Sequence, residues 1–229
     1  MRNYFHQPSA PRGFTLIELL VVVGIMAAML SVAAIGIQNV DQGQATVSGL
    51  AQAQSLMDEA RNLAISHGTR ARLCIHAEPN EEDGNLRFMV VAFERIERDG
   101  SGQETGRSWR VNSRGTSLPS KVYFHPSFSQ AASARISGLG SHGTNGSEVR
   151  FPGGNNSTRQ PNYFYYEFNS EGVASEQGVD ESGAAFVLCR GSLTTGDSEP
   201  RVIGNDVDGF VVWRNGRTSP IRDTQFLTR

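Results

Sequence analysis

One carboxylate, Glu18, lies near the start of an apolar run that extends from Phe14 to Ile37 and holds no other charged residue. An ionised glutamate inside such a run costs on the order of 3 kcal/mol in lipid unless a proton or a cation compensates it. The chemistry that this residue predicts is therefore ion pairing, and the cation has to come from outside the run.

Signals for catalysis or a resident metal are weak elsewhere in the chain. The histidines show no zinc-like spacing with a cysteine, and no G-x-S-x-G turn is present. We therefore expect neither an enzyme nor a bound cofactor or metal. Residues 81–85 and 205–209 are clusters of oxygen donors that we place in loops, and neither completes an EF-hand, so calcium binding stays an open alternative.

Cys74 and Cys189 each lie in a strand-like run, Arg72–Ile75 and Phe186–Cys189. If the part of the chain behind the apolar run is exported, a disulfide between them could persist. The sequence leaves two alternatives open, a bridge across adjacent strands and a pair of buried free thiols, because it does not give the distance between the Cα atoms.

The C-terminal residues 210–229 carry a net charge of +3, within a chain whose formal net charge is −2. Arg214, Arg217 and Arg222 supply most of that charge, and Trp213 beside them offers a stacking surface. Such a patch is typical either of a nucleic-acid contact or of a solvated basic edge that pairs with acidic neighbours.

The apolar run itself predicts a membrane-spanning helix. Its 24 residues make a helix of about 36 Å, which exceeds the ~30 Å of a hydrocarbon layer. Arg2 and Arg12 precede the run, whereas the next basic residue is Arg61, so the positive-inside rule places the N-terminus in the cytoplasm and the rest outside. A cleaved secretory signal is the alternative, but its apolar core spans only about 7–15 residues.

Helical periodicity continues behind the apolar run. Apolar residues recur at steps of three and four along residues 38–66, and Gly68 is a plausible stop. We therefore predict one helix over residues 14–66, with a membrane half at 14–37 and an amphipathic half at 38–66. The predicted stripe of the amphipathic half consists of Val47, Leu50, Ala53, Met57, Ala60 and Ala64.

The remaining residues, 67–229, have the size of one domain and no further helical pattern. Short runs of alternating apolar residues between Gly, Asn, Asp, Ser and Pro clusters predict an α+β fold, in which the helix packs on an antiparallel sheet or sandwich. We interpret residues 138–161 as a surface loop. The predicted strands are Ala71–His76, Leu86–Glu97, Ser108–Val111, Lys121–Phe124, Glu148–Phe151, Tyr163–Phe168, Ala184–Arg190 and Gly209–Arg214.

The octet Gly13-Phe14-Thr15-Leu16-Ile17-Glu18-Leu19-Leu20 resembles the processing motif of type IV prepilins and type II secretion pseudopilins. The resemblance implies that residues 1–13 are a leader, which a prepilin peptidase removes between Gly13 and Phe14 before it methylates the new amine. It also implies that Glu18 meets the Phe14 amine of a neighbouring subunit during assembly.

Within residues 67–229, short segments are similar to the GspH/FimT group of minor pseudopilins and minor pilins. They are the helix-to-strand junction at residues 60–74, the turn at 166–172, the strand at 185–188 and the glycine-arginine turn at 211–217. The resemblance implies a structural subunit anchored once in the inner membrane, with a periplasmic head and with other pilins and an assembly platform as partners. Some FimT-like pilins are thought to bind DNA through arginines beside a glycine, which Gly216-Arg217 resembles.

Overall fold

The computed structural model describes residues 14–80, 84–129, 143, 149–150, 162–175 and 183–221, and within them it leaves out the side chains of 32–43, 150 and 205. Its contacts divide the chain into two compact units, residues 1–42 and residues 43–229.

Helix α1 runs from Leu16 to His67, one residue beyond the predicted end. Gly68, at φ +63°, ends it in the left-handed region that glycine adopts without strain. The Gly68 N–H donates to the Ile65 carbonyl at 3.3 Å, and the Thr69 N–H donates to the Ala64 carbonyl at 3.2 Å. This pair of bonds is a Schellman motif, which satisfies carbonyls that the helix end would otherwise leave without a donor.

The second half of α1 buries a stripe of mostly small side chains. Its members are Thr46, Gly49, Ala53, Met57, Ala60 and Ala64. The prediction is right from Ala53 onward and wrong at Val47, which is 61% exposed. A Cβ placed on Gly49 would lie 3.2 Å from side-chain atoms of Leu118 and Leu188. Gly49 is therefore buried because Leu118 and Leu188 pack closely against it. Val47 is apolar but lies on a face of the helix that stays exposed.

A seven-stranded sheet follows the helix, with strand order β6-β3-β2-β1-β7-β8 and with β4 paired to β2. Its pairs are antiparallel except for β3 with β6, which is parallel, so the expected antiparallel sheet is mixed at this edge. Its strands are β1 (Ala71–His76), β2 (Phe88–Arg98), β3 (Glu104–Val111), β4 (Thr116–Ser117), β6 (Val149–Arg150), β7 (Tyr163–Phe168) and β8 (Ala174–Ser175).

A four-stranded antiparallel sheet completes the fold in the order β11-β10-β9-β5. The register of β9 and β10 shifts between Val202 and Val207, which marks a bulge in β10. Its strands are β5 (Val122–Phe124), β9 (Gly183–Ser192), β10 (Arg201–Trp213) and β11 (Thr218–Pro220).

One apolar core joins the helix to both sheets. Met57 of the helix, Leu73 and Phe168 of the larger sheet, and Phe186 and Phe210 of the smaller sheet belong to the same buried cluster. The rings of Phe186 and Phe210 stack with their centroids 4.8 Å apart. The α+β fold and the docking of the helix half 43–67 on β-sheet are thus as the sequence predicts.

The opposite face of the larger sheet holds a buried cation. Arg72 is 1% exposed, its Nε donates to Glu167 Oε2 at 2.6 Å, and its guanidinium carbon lies 4.1 Å from the ring centre of Trp109 and 4.2 Å from that of Tyr165. Arg70, the residue just before β1, donates to the buried Glu94. The hydrogen bond from Arg70 is the main reason that the pKa of Glu94 lies below its ordinary value.

Candidate functional site

The start of α1 is a reciprocal cap between Thr15 and Glu18. The Thr15 N–H donates to Glu18 Oε2 at 2.9 Å, the Thr15 hydroxyl donates to the same oxygen at 2.8 Å, and the Glu18 N–H donates to that hydroxyl at 3.3 Å. This is a capping box, in which an N-cap side chain and a carboxylate three residues later satisfy each other's free N–H groups. Glu18 is therefore held at the first turn, where a negative charge also suits the helix dipole.

The apolar side chains behind this cap have no cover within the described chain. Phe14 is 87% exposed and Leu16 85%, and the exposure continues on all sides of the helix. The other large exposed side chains of this stretch are Ile17, Leu19, Leu20, Val21, Val22, Val23, Ile25, Met26, Met29 and Leu30. A surface of this extent marks a site of contact with a membrane or with other proteins.

In the part of the chain that the structure describes, no helix is both long enough and apolar enough to cross a membrane. The predicted span over residues 14–37 is therefore not confirmed, and it stays a prediction. Gly13, the residue before the predicted cleavage, lies outside the described residues together with the rest of the predicted leader.

Cys74 and Cys189 are buried, and no disulfide joins them. Cys74, on β1, packs on the face of the larger sheet that points away from the shared core, and Cys189, on β9, packs on the corresponding face of the smaller sheet. The structure therefore has the free-thiol alternative and not the bridge, because the two residues belong to different sheets and different clusters. Burial raises the pKa of the Cys189 thiol to about 12, which keeps it protonated and unreactive.

The predicted basic patch falls partly on the hairpin between β10 and β11. Arg214 and Arg217 are exposed there, and Trp213 is 38% exposed while its ring N–H donates to the Ser219 hydroxyl at 2.9 Å. Arg222, the third predicted contact, lies outside the described residues. The structure thus brings two of the three arginines beside an accessible indole.

Gly216, between these arginines, has a structural role that the sequence does not reveal. It is buried at φ +76°, and a Cβ there would come within 2.5 Å of Arg61 and of the Gly172 carbonyl. Arg61 Nε donates to the Gly172 carbonyl at 3.1 Å. We call Arg61, Gly172 and Gly216 the arginine clamp, because it joins the helix to one hairpin turn from each sheet.

The acidic cluster at residues 205–209 does not form the loop in which we placed it. Residues 206–209 lie within strand β10, so the prediction of a loop at 205–209 is wrong. Asp206 Oδ2 lies 3.9 Å from Arg190 Nε, and Asp206 Oδ1 accepts from the Thr46 hydroxyl at 3.5 Å. Residues 81–83 of the other cluster lie outside the described residues, as does the predicted loop 138–161 apart from 143 and 149–150.

In the described part of the chain, no group of three or more His, Cys, Asp or Glu side chains is arranged to hold a metal. His125 is buried and stacks on Phe128 with ring centroids 3.7 Å apart, and burial lowers its pKa. It therefore packs as a neutral aromatic side chain.

Glu18 was predicted from the sequence, but its partner Thr15 was not. The signal was present, because a threonine followed three residues later by a glutamate and then by an apolar run is the sequence pattern of a capping box. By contrast, the partners of Gly216 come from positions 61 and 172, which no local pattern connects.

Residues 9–34 match the prokaryotic N-terminal methylation motif. This match covers Phe14, Thr15 and Glu18 and supports a type IV prepilin-like protein. It implies in general terms processing by a prepilin peptidase and assembly with other pilins. No curated protein and no solved structure matches the chain.

Proposed function

We propose that this type IV prepilin-like protein is a minor pseudopilin, a non-enzymatic structural subunit of a type II secretion pseudopilus that takes part in protein secretion. The observation that carries the proposal is the methylation motif at residues 9–34, located where a capped carboxylate begins an exposed apolar helix. The GspH/FimT-like segments of the sequence support the choice of a minor subunit.

In this proposal the chain is inserted into the inner membrane through residues 14–37, with its N-terminus in the cytoplasm and the head formed by residues 67–229 in the periplasm. A prepilin peptidase removes residues 1–13 and methylates the amine of Phe14. The all-round exposure of Phe14–Leu30 supports this anchor, since lipid and neighbouring helices are the partners that such a surface accepts.

Glu18 then recruits the subunit to the growing assembly by pairing with the Phe14 amine of a neighbour. The carboxylate is exposed in the structure, and its cap uses one of its two oxygens, Oε2. Oε1 can accept from an incoming ammonium group while Thr15 still holds the other oxygen. In an apolar surrounding, such a pair offsets the cost of burying either charge alone.

A minor type IV pilin that primes pilus assembly, with DNA affinity during uptake, is the second candidate. The observation in its favour is the exposed pair Arg214 and Arg217 beside Trp213. Against it, the arginine clamp gives the glycine of this turn a purely structural reason. DNA binding that weakens steeply with salt and is lost in Arg217→Gln would favour the pilin; no shift of DNA at low salt would remove this candidate.

Processing provides the first test of the main proposal. We expect Gly13→Ala to block cleavage, so that intact mass spectrometry finds a chain longer by residues 1–13 and without a methyl group on Phe14. Gly24→Ala is the matched control, because a Cβ at Gly24 meets no atom within 4 Å. Normal cleavage of Gly13→Ala, or loss of cleavage in Gly24→Ala as well, would contradict recognition at the predicted site.

A further inference from the structure

A polar pocket lies where three distant segments of the head meet. It has a volume of about 330 Å³ and is lined by Asn85 and Arg87 before β2, by Tyr123 on β5, and by Thr194 and Thr195 after β9. Pro79 and Leu193 form its apolar wall. A backbone hydrogen bond from the Gly196 N–H to the Pro79 carbonyl, 2.6 Å long, joins the outer segments.

Two buried polar atoms of residues that line this pocket have no hydrogen-bond partner among the described residues. They are the side-chain oxygen Oδ1 of Asn85, a residue 3% exposed, and the Nε of Arg87. Buried polar groups are nearly always paired, because leaving one unpaired lowers the stability of the fold. The Asn85 oxygen accepts a hydrogen bond and the Arg87 nitrogen donates one, so a ligand that satisfies both must present a donor and an acceptor.

Arg87 is positioned as a fixed cation. One of its terminal nitrogens donates to the Leu118 carbonyl at 2.9 Å, and its guanidinium carbon lies 5.7 Å from the ring centre of Tyr123. Within the described residues no carboxylate forms an ion pair with it. The acceptor that suits this site is therefore anionic.

The backbone around the pocket is strained at two residues. Leu86 and Lys121 have φ values of 56° and 63°, in the left-handed region that is unfavourable for residues with a side chain. Leu86 is buried in the shared core while its neighbours Asn85 and Arg87 line the pocket. The fold thus holds both polar side chains in place at some cost, as functional sites often do.

We propose that this pocket binds the C-terminal carboxylate of a peptide chain belonging to a partner protein. The carboxylate accepts from Arg87, the N–H of the last residue donates to Asn85, and the Thr194 hydroxyl donates to the second carboxylate oxygen. The last side chain packs on Pro79 and Leu193. Capture of chain ends in this way is a known mode of peptide recognition, and the inference does not depend on the proposed function.

Calorimetric titration of the full chain in mild detergent tests the chemistry with three probes. They are N-acetyl-alanyl-leucine, its C-terminal amide and acetate. We expect the free acid to bind at least tenfold tighter than the other two. Equal binding of acid and amide, or no binding of either, would overturn the proposal. Acetate that binds as tightly as the dipeptide would show a site for small carboxylates and overturn the assignment to chain ends.

Variants test the two unpaired atoms. Arg87→Gln is expected to weaken binding of the acid at least tenfold, while Arg95→Gln, which alters an exposed arginine of β2, leaves it unchanged. Asn85→Leu is expected to weaken binding at least fivefold without lowering Tm, because it removes an unsatisfied buried oxygen. If Arg87→Gln fails to fold, Asn85→Leu decides the question. Unchanged affinity of Asn85→Leu for the free acid contradicts the proposed site, whether or not its Tm falls.

Discussion

The two halves of helix α1 show how one secondary structure element can serve two environments. From Phe14 to Leu30 its large apolar side chains are exposed on every side, whereas from Thr46 to Ala64 it buries one narrow stripe and leaves polar residues such as Asp58 in solvent. The side chains of the first half are exposed because nothing in the described chain covers them. In the second half, the room that packing leaves at each position decides which side chains are buried. Substitutions that are chemically alike should therefore act differently in the two halves.

The largest difference is expected for assembly. Glu18→Ala removes the carboxylate that we propose pairs with the Phe14 amine of a neighbour, so we expect incorporation into filaments to fall more than tenfold while membrane insertion stays intact or improves. Quantitative immunoblots of sheared filaments and of membrane fractions measure the two effects. Glu59→Ala, which changes a glutamate of the second half that accepts from Asn112, is the matched control. Normal incorporation of Glu18→Ala would refute the charge pairing.

The next effect is on the stability of the head. Met57→Ala opens a cavity at a side chain that is 0% exposed, so we expect it to lower the free energy of unfolding by about 2–5 kcal/mol. Met26→Ala makes the same change at a side chain that is 59% exposed and should alter that free energy by less than about 0.5 kcal/mol. Urea unfolding of the full chain in detergent, followed by tryptophan fluorescence, gives both values. Equal losses would contradict the distinction between the halves.

A smaller effect is expected for a matched pair of glycines. Gly49→Val forces a side chain against Leu118 and Leu188 and should destabilise the head by about 1–3 kcal/mol, as overpacking does. Gly24→Val has the same intrinsic helix propensity and meets open space, so head stability should not change. The same unfolding assay measures both, and a Gly49→Val head as stable as the parent would show that the leucines can move aside.

The smallest expected effect is a pH dependence of the stability of the head, which arises from His125 and Glu94. Burial lowers the pKa of His125, so the unfolded chain binds more protons between that lowered pKa and the ordinary 6.5. Stability is therefore complete above about pH 6.5 and falls as the pH drops through this window. Melting curves of the head should shift down there, and His125→Gln should flatten the shift. Glu94, whose pKa is lowered mainly by Arg70, adds a loss only below its ordinary pKa of 4.5.

Sequence reasoning works best where a residue's own chemistry decides its structure. Strands β1 and β7 have the predicted bounds, because each is a run of six residues between clear turn signals, and β7 consists mainly of aromatic residues. The octet at residues 13–20 predicted the motif that the comparison found at 9–34. Glu18 could be identified in advance because it is the one charged residue in the apolar run from Phe14 to Ile37.

It fails where a partner decides the structure. Strands β4, β8 and β11 have two or three residues each and were missed, as was the first half of β10, where Asn205, Asp206 and Asp208 indicate a loop. These segments become strands because a neighbouring strand offers its backbone groups. The pocket around Arg87 was missed for a similar reason, since its lining comes from positions 79 to 195.

The arginine clamp has a consequence for how the head comes apart. Arg61 holds the turn before β8 and packs against the turn before β11, and the Ala174 N–H donates to the Arg214 carbonyl close by. A hairpin with a short edge strand, such as β11, usually frays first. Here its release requires the larger sheet to give up that backbone bond and the turn at Gly216 to lose its packing against Arg61. Backbone amide protons of β10 and β11 should therefore exchange with solvent as slowly as those of the core strands, so that this hairpin unfolds together with the rest of the head.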